Sequence, residues 1–124
     1  MPEIVTFMKE GNTGIITVNN PPVNALSQAV RAGIKSGIEK GMADQDVAAM
    51  IILCDGRTFI AGADIREFGK PPLEPFLPDV CQFIEDSPKP VIAAIHGTAL
   101  GGGLEIPLSC HFRIAVTSAQ VGLP

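Results

Sequence analysis

The sequence predicts an α/β layered fold, in which helices cover a mostly parallel sheet. Residues 47–54 and 91–95 form continuous apolar runs, which are typical of parallel strands buried on both faces. Before the first run, apolar residues recur every four positions from Leu26 to Met42, the spacing of an amphipathic helix. Strands that alternate with helical segments in this way favour parallel pairing.

The N-terminal segment predicts a hairpin followed by that helix. Residues 4–9 and 14–19 are rich in Ile, Val and Thr, and Gly11-Asn12 provides the turn between them. Prolines then end the sheet because they cannot donate to its hydrogen-bond ladder. Ser27 is expected to cap the helix. Three glycines on a neighbouring row of the helix predict its close approach to another element: Gly33, Gly37 and Gly41.

The C-terminal half predicts further strands around a loop. Residues 70–78 contain four prolines and predict a surface loop before a short helix at 80–84. A weaker strand is expected at 112–116, and 120–124 is typical of the start of another strand and turn. We therefore expect residues 1–124 to be the N-terminal part of a longer domain, with no second domain among them.

Composition excludes several functional classes. The chain is 46% hydrophobic and 18% charged, so it can bury a core. A net charge of -4 without a basic face argues against nucleic-acid binding. No apolar run reaches about 18 residues, and the N-terminus lacks a secretory signal. The expected location is the cytoplasm, or an organelle matrix in a eukaryote, and the protein is not expected to be secreted or membrane-bound.

Metal and disulfide chemistry are not expected either. Cys54, Cys81 and Cys110 are widely spaced, and no CxxC pair occurs. We expect them to be buried, reduced thiols that pack as small apolar groups. His96 and His111 have no acidic partner nearby in the sequence. We therefore predict no metal site.

The first candidate site follows the strand predicted at 47–54. Ala61, Gly62 and Ala63 are small enough for the backbone to approach a ligand closely. Asp64 could cap a short helix that runs through Phe68, which would leave backbone N–H groups free for an acceptor. The alternative is an ordinary capped corner between a strand and a helix.

The second candidate site is a run of glycines after the strand predicted at 91–95. The run 101–103 leads into a helical stretch whose first turn contains Glu105, with Leu104 and Ile106 on either side. A carboxylate in apolar company suits acid–base chemistry, although this glutamate could simply complement the helix dipole. The two sites together suggest two backbone donors that converge on a carbonyl oxygen beside one carboxylate, an apparatus for an enolate-like oxyanion.

These segments closely resemble the two signature segments of the crotonase (enoyl-CoA hydratase/isomerase) superfamily, at residues 61–65 (AGADI) and 99–105 (ALGGGLE). Segments 20–26 and 88–94 resemble the family's CoA-contacting loop and central strand. The resemblance covers nearly all of the chain in order. Further C-terminal segments look most like the hydratase part of bifunctional enoyl-CoA hydratase/3-hydroxyacyl-CoA dehydrogenases: 110–115 and 121–124.

The resemblance implies a crotonase-like spiral of ββα units, truncated at its C-terminus. It implies that the backbone N–H groups of Ala63 and Gly102 form an oxyanion hole. Glu105 corresponds to the first of two catalytic glutamates that deliver water across a double bond. The resemblance also assigns six residues to the acyl-CoA site: Ala25, Ala61, Gly62, Asp64, Ile65 and Arg66. Among them, Arg66 would be a phosphate partner. Residues 70–78 would close part of the acyl-tail pocket.

The implied activity is hydration of trans-2-enoyl-CoA to 3-hydroxyacyl-CoA in fatty-acid β-oxidation. Coenzyme A would enter as part of the substrate, no other cofactor is expected, and a homo-oligomer is possible. The family's second glutamate would be the residue after Pro124. The alternatives are a 3-enoyl to 2-enoyl-CoA isomerase, a non-catalytic acyl-CoA-binding fragment and an incomplete chain that associates with itself.

Overall fold

The computed structural model describes residues 3–124 as a five-stranded sheet with helices packed against one face. The strands are β1 (Val5–Glu10), β2 (Thr13–Val18), β3 (Ala49–Cys54), β4 (Val91–Ile95), β5 (Thr98–Leu100), β6 (Phe112–Ala115) and β7 (Gln120–Gly122). The helices are α1 (Gln28–Ala43), α2 (Leu77–Glu85) and α3 (Gly102–Ser109), with a 3-10 turn at Ile65–Glu67. Within the described range, no helix is long and apolar enough to cross a membrane.

The main sheet has the order β1-β2-β3-β4-β6. β1 and β2 form the predicted antiparallel hairpin, and the remaining neighbours pair in parallel. Parallel pairing requires long crossovers, and α1 provides the one between β2 and β3. The sequence prediction of a mostly parallel sheet is therefore confirmed. β5 and β7 form a separate parallel pair.

Local sequence signals account for α1. The Ser27 hydroxyl accepts a hydrogen bond from the Val30 N–H at 3.2 Å, which confirms the predicted cap. The glycine row also behaves as predicted. A Cβ on Gly37 would lie 2.9 Å from Ile16 Cγ1, so a side chain there would push the helix away from β2. Part of the core lies between this helix and the sheet, and residues of α2, α3 and the segment after β3 complete it.

The expectation of strands buried on both faces is wrong. In β3 the buried residues Met50, Ile52 and Cys54 alternate with half-exposed ones. The described helices pack against only one face of the sheet, so alternate side chains remain partly open to water. The strand also begins at Ala49 rather than 47, because the Val47 N–H bonds to a turn carbonyl.

The weaker strand expected at 112–116 is confirmed as β6, but its side chains are not buried. All four residues of β6 are exposed, including Phe112 and Ile114. β6 lies at the edge of the sheet, next to β4 alone. An apolar strand at an edge still pairs through its backbone, but its side chains pack only where a second layer covers them.

Two of the three cysteines match the sequence expectation. Cys54 and Cys110 are buried, and burial raises the pKa of each thiol to about 12. These thiols are therefore protonated near neutral pH and pack as apolar groups. Cys81 is only half-buried, although desolvation also raises the pKa of its thiol.

Candidate functional site

Backbone hydrogen bonds join the chain after β3 to the connection between β4 and α3. The Phe59 N–H donates to the His96 carbonyl at 2.8 Å, and the Leu100 N–H donates to the Ile60 carbonyl at 3.2 Å. The second of these donors lies in β5, a strand that the sequence did not predict. These bonds bring the two candidate glycine-rich segments side by side.

The glycine run lets α3 begin directly against this neighbouring chain. Gly101, the N-cap residue, has a φ of 56°, in the left-handed region that glycine favours. A Cβ on Gly103 would overlap the Ile60 carbonyl oxygen and lie 2.7 Å from its carbon. The positive φ at Gly101 and the close approach at Gly103 both require glycine. The glycine run is therefore needed for the fold, whether or not a ligand binds there.

Replacing Gly103 with alanine is expected to destabilise the protein by about 1–3 kcal/mol, because backbone must move to admit the methyl group. The matched control is Gly102→Ala, whose Cβ would meet side-chain ends rather than backbone: Leu26 and Leu77 at 2.9 Å, and Glu105 Oε2 at 3.8 Å. Urea denaturation of both variants measures the difference. Equal stability of the two would contradict this account of the close approach.

The structure brings all three predicted catalytic residues together. Ala63, Gly102 and Glu105 line one cleft of about 460 Å³. Within residues 3–124, neither the Ala63 N–H nor the Gly102 N–H donates to a protein acceptor. Gly102 is the first residue of α3, where an N–H has no partner within the helix. The cleft therefore contains two unpartnered backbone donors near one carboxylate.

The turn that carries Ala63 is fixed from two sides. The Leu26 N–H donates to the Gly62 carbonyl at 2.9 Å, and Leu26 forms an isolated parallel bridge with Ala63. The Asp64 carboxylate caps the following 3-10 turn by accepting from the Arg66 N–H at 3.0 Å. The predicted cap is confirmed, although the turn ends at Glu67 rather than Phe68.

Glu105 differs in one respect from the sequence expectation. Its neighbour Ile106 is buried, but the Glu105 side chain itself is exposed. Its N–H donates to the Gly101 carbonyl at 3.0 Å, so its backbone is fixed in the first turn of α3. Its carboxylate thus faces the open side of the cleft.

The remaining cleft wall was largely missed by sequence reasoning. It combines apolar side chains with an embedded ion pair, and the predicted loop at 70–78 borders it as expected. The further lining residues are Leu26, Arg31, Asp64, Glu67, Phe68, Lys70, Pro72, Phe76 and Leu77. One feature of the sequence could have indicated this part of the wall: Arg31, a charged residue directly beside the apolar stripe of α1.

Four of the predicted acyl-CoA residues line a second cleft of about 400 Å³: Ala25, Asp64, Ile65 and Arg66. Ala63 and Asp64 border both clefts, so the two are neighbours across one turn. The structure places Ala61 in a separate surface hollow. Gly62 lines none of these cavities, and with a φ of 142° it shapes the turn.

Arg66 and Asp64 form a two-pronged ion pair. Arg66 Nε and Nη2 donate to the two carboxylate oxygens at 2.9 and 2.8 Å. These side-chain bonds, with that from the Arg66 backbone N–H, lower the pKa of the Asp64 carboxyl. The arginine side chain nevertheless stays 76% exposed, so its other donors face solvent.

The fold and the paired donors beside a glutamate define a crotonase-fold chain. The structure of Pseudomonas aeruginosa DspI matches 99% of this chain with a TM-score of 0.89 and 34% identity, over 53% of its own length. The chain belongs to the enoyl-CoA hydratase/isomerase family, whose model matches residues 9–124.

Named relatives agree with this assignment. The chain is 49% identical, over 91% of its length, to the peroxisomal bifunctional enzyme of Danio rerio, of which it spans 16%. It is 44% identical, over 89% of its length, to a probable enoyl-CoA hydratase of Bacillus subtilis, of which it spans 45%. The chain thus spans half or less of these curated relatives.

Proposed function

We propose that residues 1–124 are the N-terminal part of an enoyl-CoA hydratase domain. The complete domain would hydrate trans-2-enoyl-CoA to 3-hydroxyacyl-CoA in fatty-acid β-oxidation. The observation that carries this proposal is that the unpartnered N–H groups of Ala63 and Gly102 share one cleft with Glu105. Family membership and the names of the relatives support the reaction class.

The two backbone donors would stabilise the charge that develops during hydration. As the water oxygen bonds to C3, the electrons of the C2=C3 bond shift toward the thioester oxygen and form an enolate. Hydrogen bonds from Ala63 and Gly102 would hold this oxygen, and the N-terminus of α3 adds a positive dipole end. Because the donors belong to fixed backbone, they need little reorganisation as the charge forms.

Glu105 would take the proton from the attacking water. Its carboxylate lies at the open side of the cleft, where water has access. A proton must then reach C2 to complete the product. By resemblance to the family, a second glutamate at the position after Pro124 would work with Glu105 in this transfer.

The second cleft would receive the coenzyme A portion of the substrate. Ala25, Asp64 and Ile65 would line it, while Ala61 and Gly62 would support the neighbouring turn. Arg66 presents exposed donors to a phosphate group, and its pairing with Asp64 would hold the guanidinium in place. Coenzyme A enters with the substrate, and no separate cofactor is proposed. The peroxisomal names of relatives support an organelle matrix as the location.

The second candidate is isomerisation of 3-enoyl-CoA to 2-enoyl-CoA, which passes through the same enolate. A pure isomerase can work with the second glutamate alone, so the presence of Glu105 favours hydration. Both reactions are measured on one preparation of the complete domain. We expect hydration to be faster. Faster isomerisation would overturn the assignment, and acyl-CoA binding without either reaction would support a non-catalytic binder.

A further inference from the structure

Arg31 is a buried charge at the edge of the catalytic cleft. It lies in α1, and its side chain is only 11% exposed. A buried guanidinium is costly unless its N–H groups are satisfied. The sequence offers no acidic partner for it on the same helix turn, so its partners must come from elsewhere in the fold.

Four hydrogen bonds tie Arg31 to the chain around the cleft. Nε donates to the Pro75 carbonyl at 2.9 Å, and Nη2 donates to the Leu73 carbonyl at 3.1 Å. Nη1 donates to the Leu26 carbonyl at 3.1 Å and to Glu67 Oε1 at 3.2 Å. Four of its five N–H groups are therefore used within the protein. Because most of its donors are used within the protein, Arg31 is suited to positioning the chain rather than to binding substrate.

The partner carboxylate extends this network. Glu67 Oε2 accepts from the Gln28 N–H at 2.8 Å, at the first turn of α1. The Gln28 side chain in turn donates to the Glu74 carbonyl at 2.8 Å. One end of α1 thus holds both the 3-10 turn after Ala63 and the loop at 73–75.

The loop has few other restraints of this kind. Among the described residues, the carbonyls at 73–75 accept hydrogen bonds only from Gln28 and Arg31. The next residues along the chain, Phe76 and Leu77, form an apolar wall of the cleft, and Leu77 lies directly beside Gly102. The chain that leads into this wall is therefore held by the α1 side chains, while α2, which begins at Leu77, packs against α1 and α3.

We propose that Arg31 is a positioning residue that fixes the apolar wall of the acyl-chain site and so sets the preference for acyl-chain length. This inference rests on the proposed hydratase function. A long acyl chain would lie along Phe76 and Leu77, so its binding needs the wall in place. A short chain would contact Leu77, which lies beside Gly102, but it would leave most of the remaining wall unused.

The test compares hydration of crotonyl-CoA and 2-hexadecenoyl-CoA by the complete domain. In Arg31→Met we expect the ratio of kcat/KM for the long substrate to that for the short one to fall at least about tenfold, mainly through KM. Arg31→Lys should restore part of the ratio, because a lysine can reach some of the same carbonyls. Lys40→Met, an exposed position on the same helix, is the matched control.

Hydrogen exchange supplies a second measurement for variants of low stability. Arg31→Met should speed exchange at 68–78 while leaving α3 protected. An unchanged ratio, or an equal loss for both substrates, would overturn the positioning role. Absence of hydration in the unmodified complete domain would instead overturn the proposed function, so the two failures are distinguishable.

Discussion

Replacing Glu105 with glutamine in the complete domain is expected to lower kcat for hydration roughly 10²–10⁴-fold, the range for loss of a positioned acid–base group. Glutamine keeps the shape of the side chain but cannot take a proton from water. Affinity for acyl-CoA should stay close to that of the unmodified domain, because Glu105 lies apart from the second cleft. Steady-state hydration of crotonyl-CoA, beside ligand-binding titrations, measures both quantities.

The control for this variant is Glu39→Gln, which removes an exposed carboxylate from α1, away from the cleft. Its rate should match that of the unmodified domain. Near-normal turnover in Glu105→Gln would exclude Glu105 as the base.

Replacing Gly102 with proline is expected to lower kcat about 10²–10³-fold, the usual cost of losing one oxyanion donor. Proline removes the N–H, and the first position of a helix accepts its fixed φ. Gly102 occupies that position in α3. Hydration kinetics of the complete domain provide the measurement.

Gly102→Ala is the matched control, because it adds a Cβ at the same place and keeps the N–H. That Cβ would meet the flexible ends of Leu26 and Leu77, and it would lie in ordinary van der Waals contact, at 3.8 Å, with Glu105 Oε2. Alanine should therefore retain most of the activity that proline loses. If alanine and proline reduced kcat equally, crowding of the cleft would explain the loss, and the donor role would fail.

Features that depend on neighbouring residues could be predicted from the sequence. Ser27 caps α1 through a bond to Val30, three residues away. The glycines of α1 mark its contact with the sheet, because their spacing keeps them on one row of the helix. The turn at Ala63 and the start of α3 at Gly102 were likewise recognisable from small residues after strands.

Features that depend on contacts between distant segments could not be predicted from the sequence. β5 is a three-residue strand without periodicity, and its partner β7 begins 22 positions after it. The pair Arg31 and Glu67 spans 36 positions. An arginine beside an apolar stripe indicates a buried charge, but only the fold reveals which carbonyls satisfy it. Burial of the strands was overestimated for the same reason, since a sequence does not state which face a second layer covers.

The most direct test of the oxyanion hole is the infrared band of the thioester carbonyl in a bound 2-enoyl-CoA, labelled with a heavy carbon isotope at that position. The complete domain carrying Glu105→Gln would hold the substrate long enough to record its spectrum, because its hydration is expected to be slow. The account predicts a shift of this band to lower frequency on binding, and a much smaller shift when Gly102→Pro is added. A band at the frequency of the free thioester in the bound complex would contradict it.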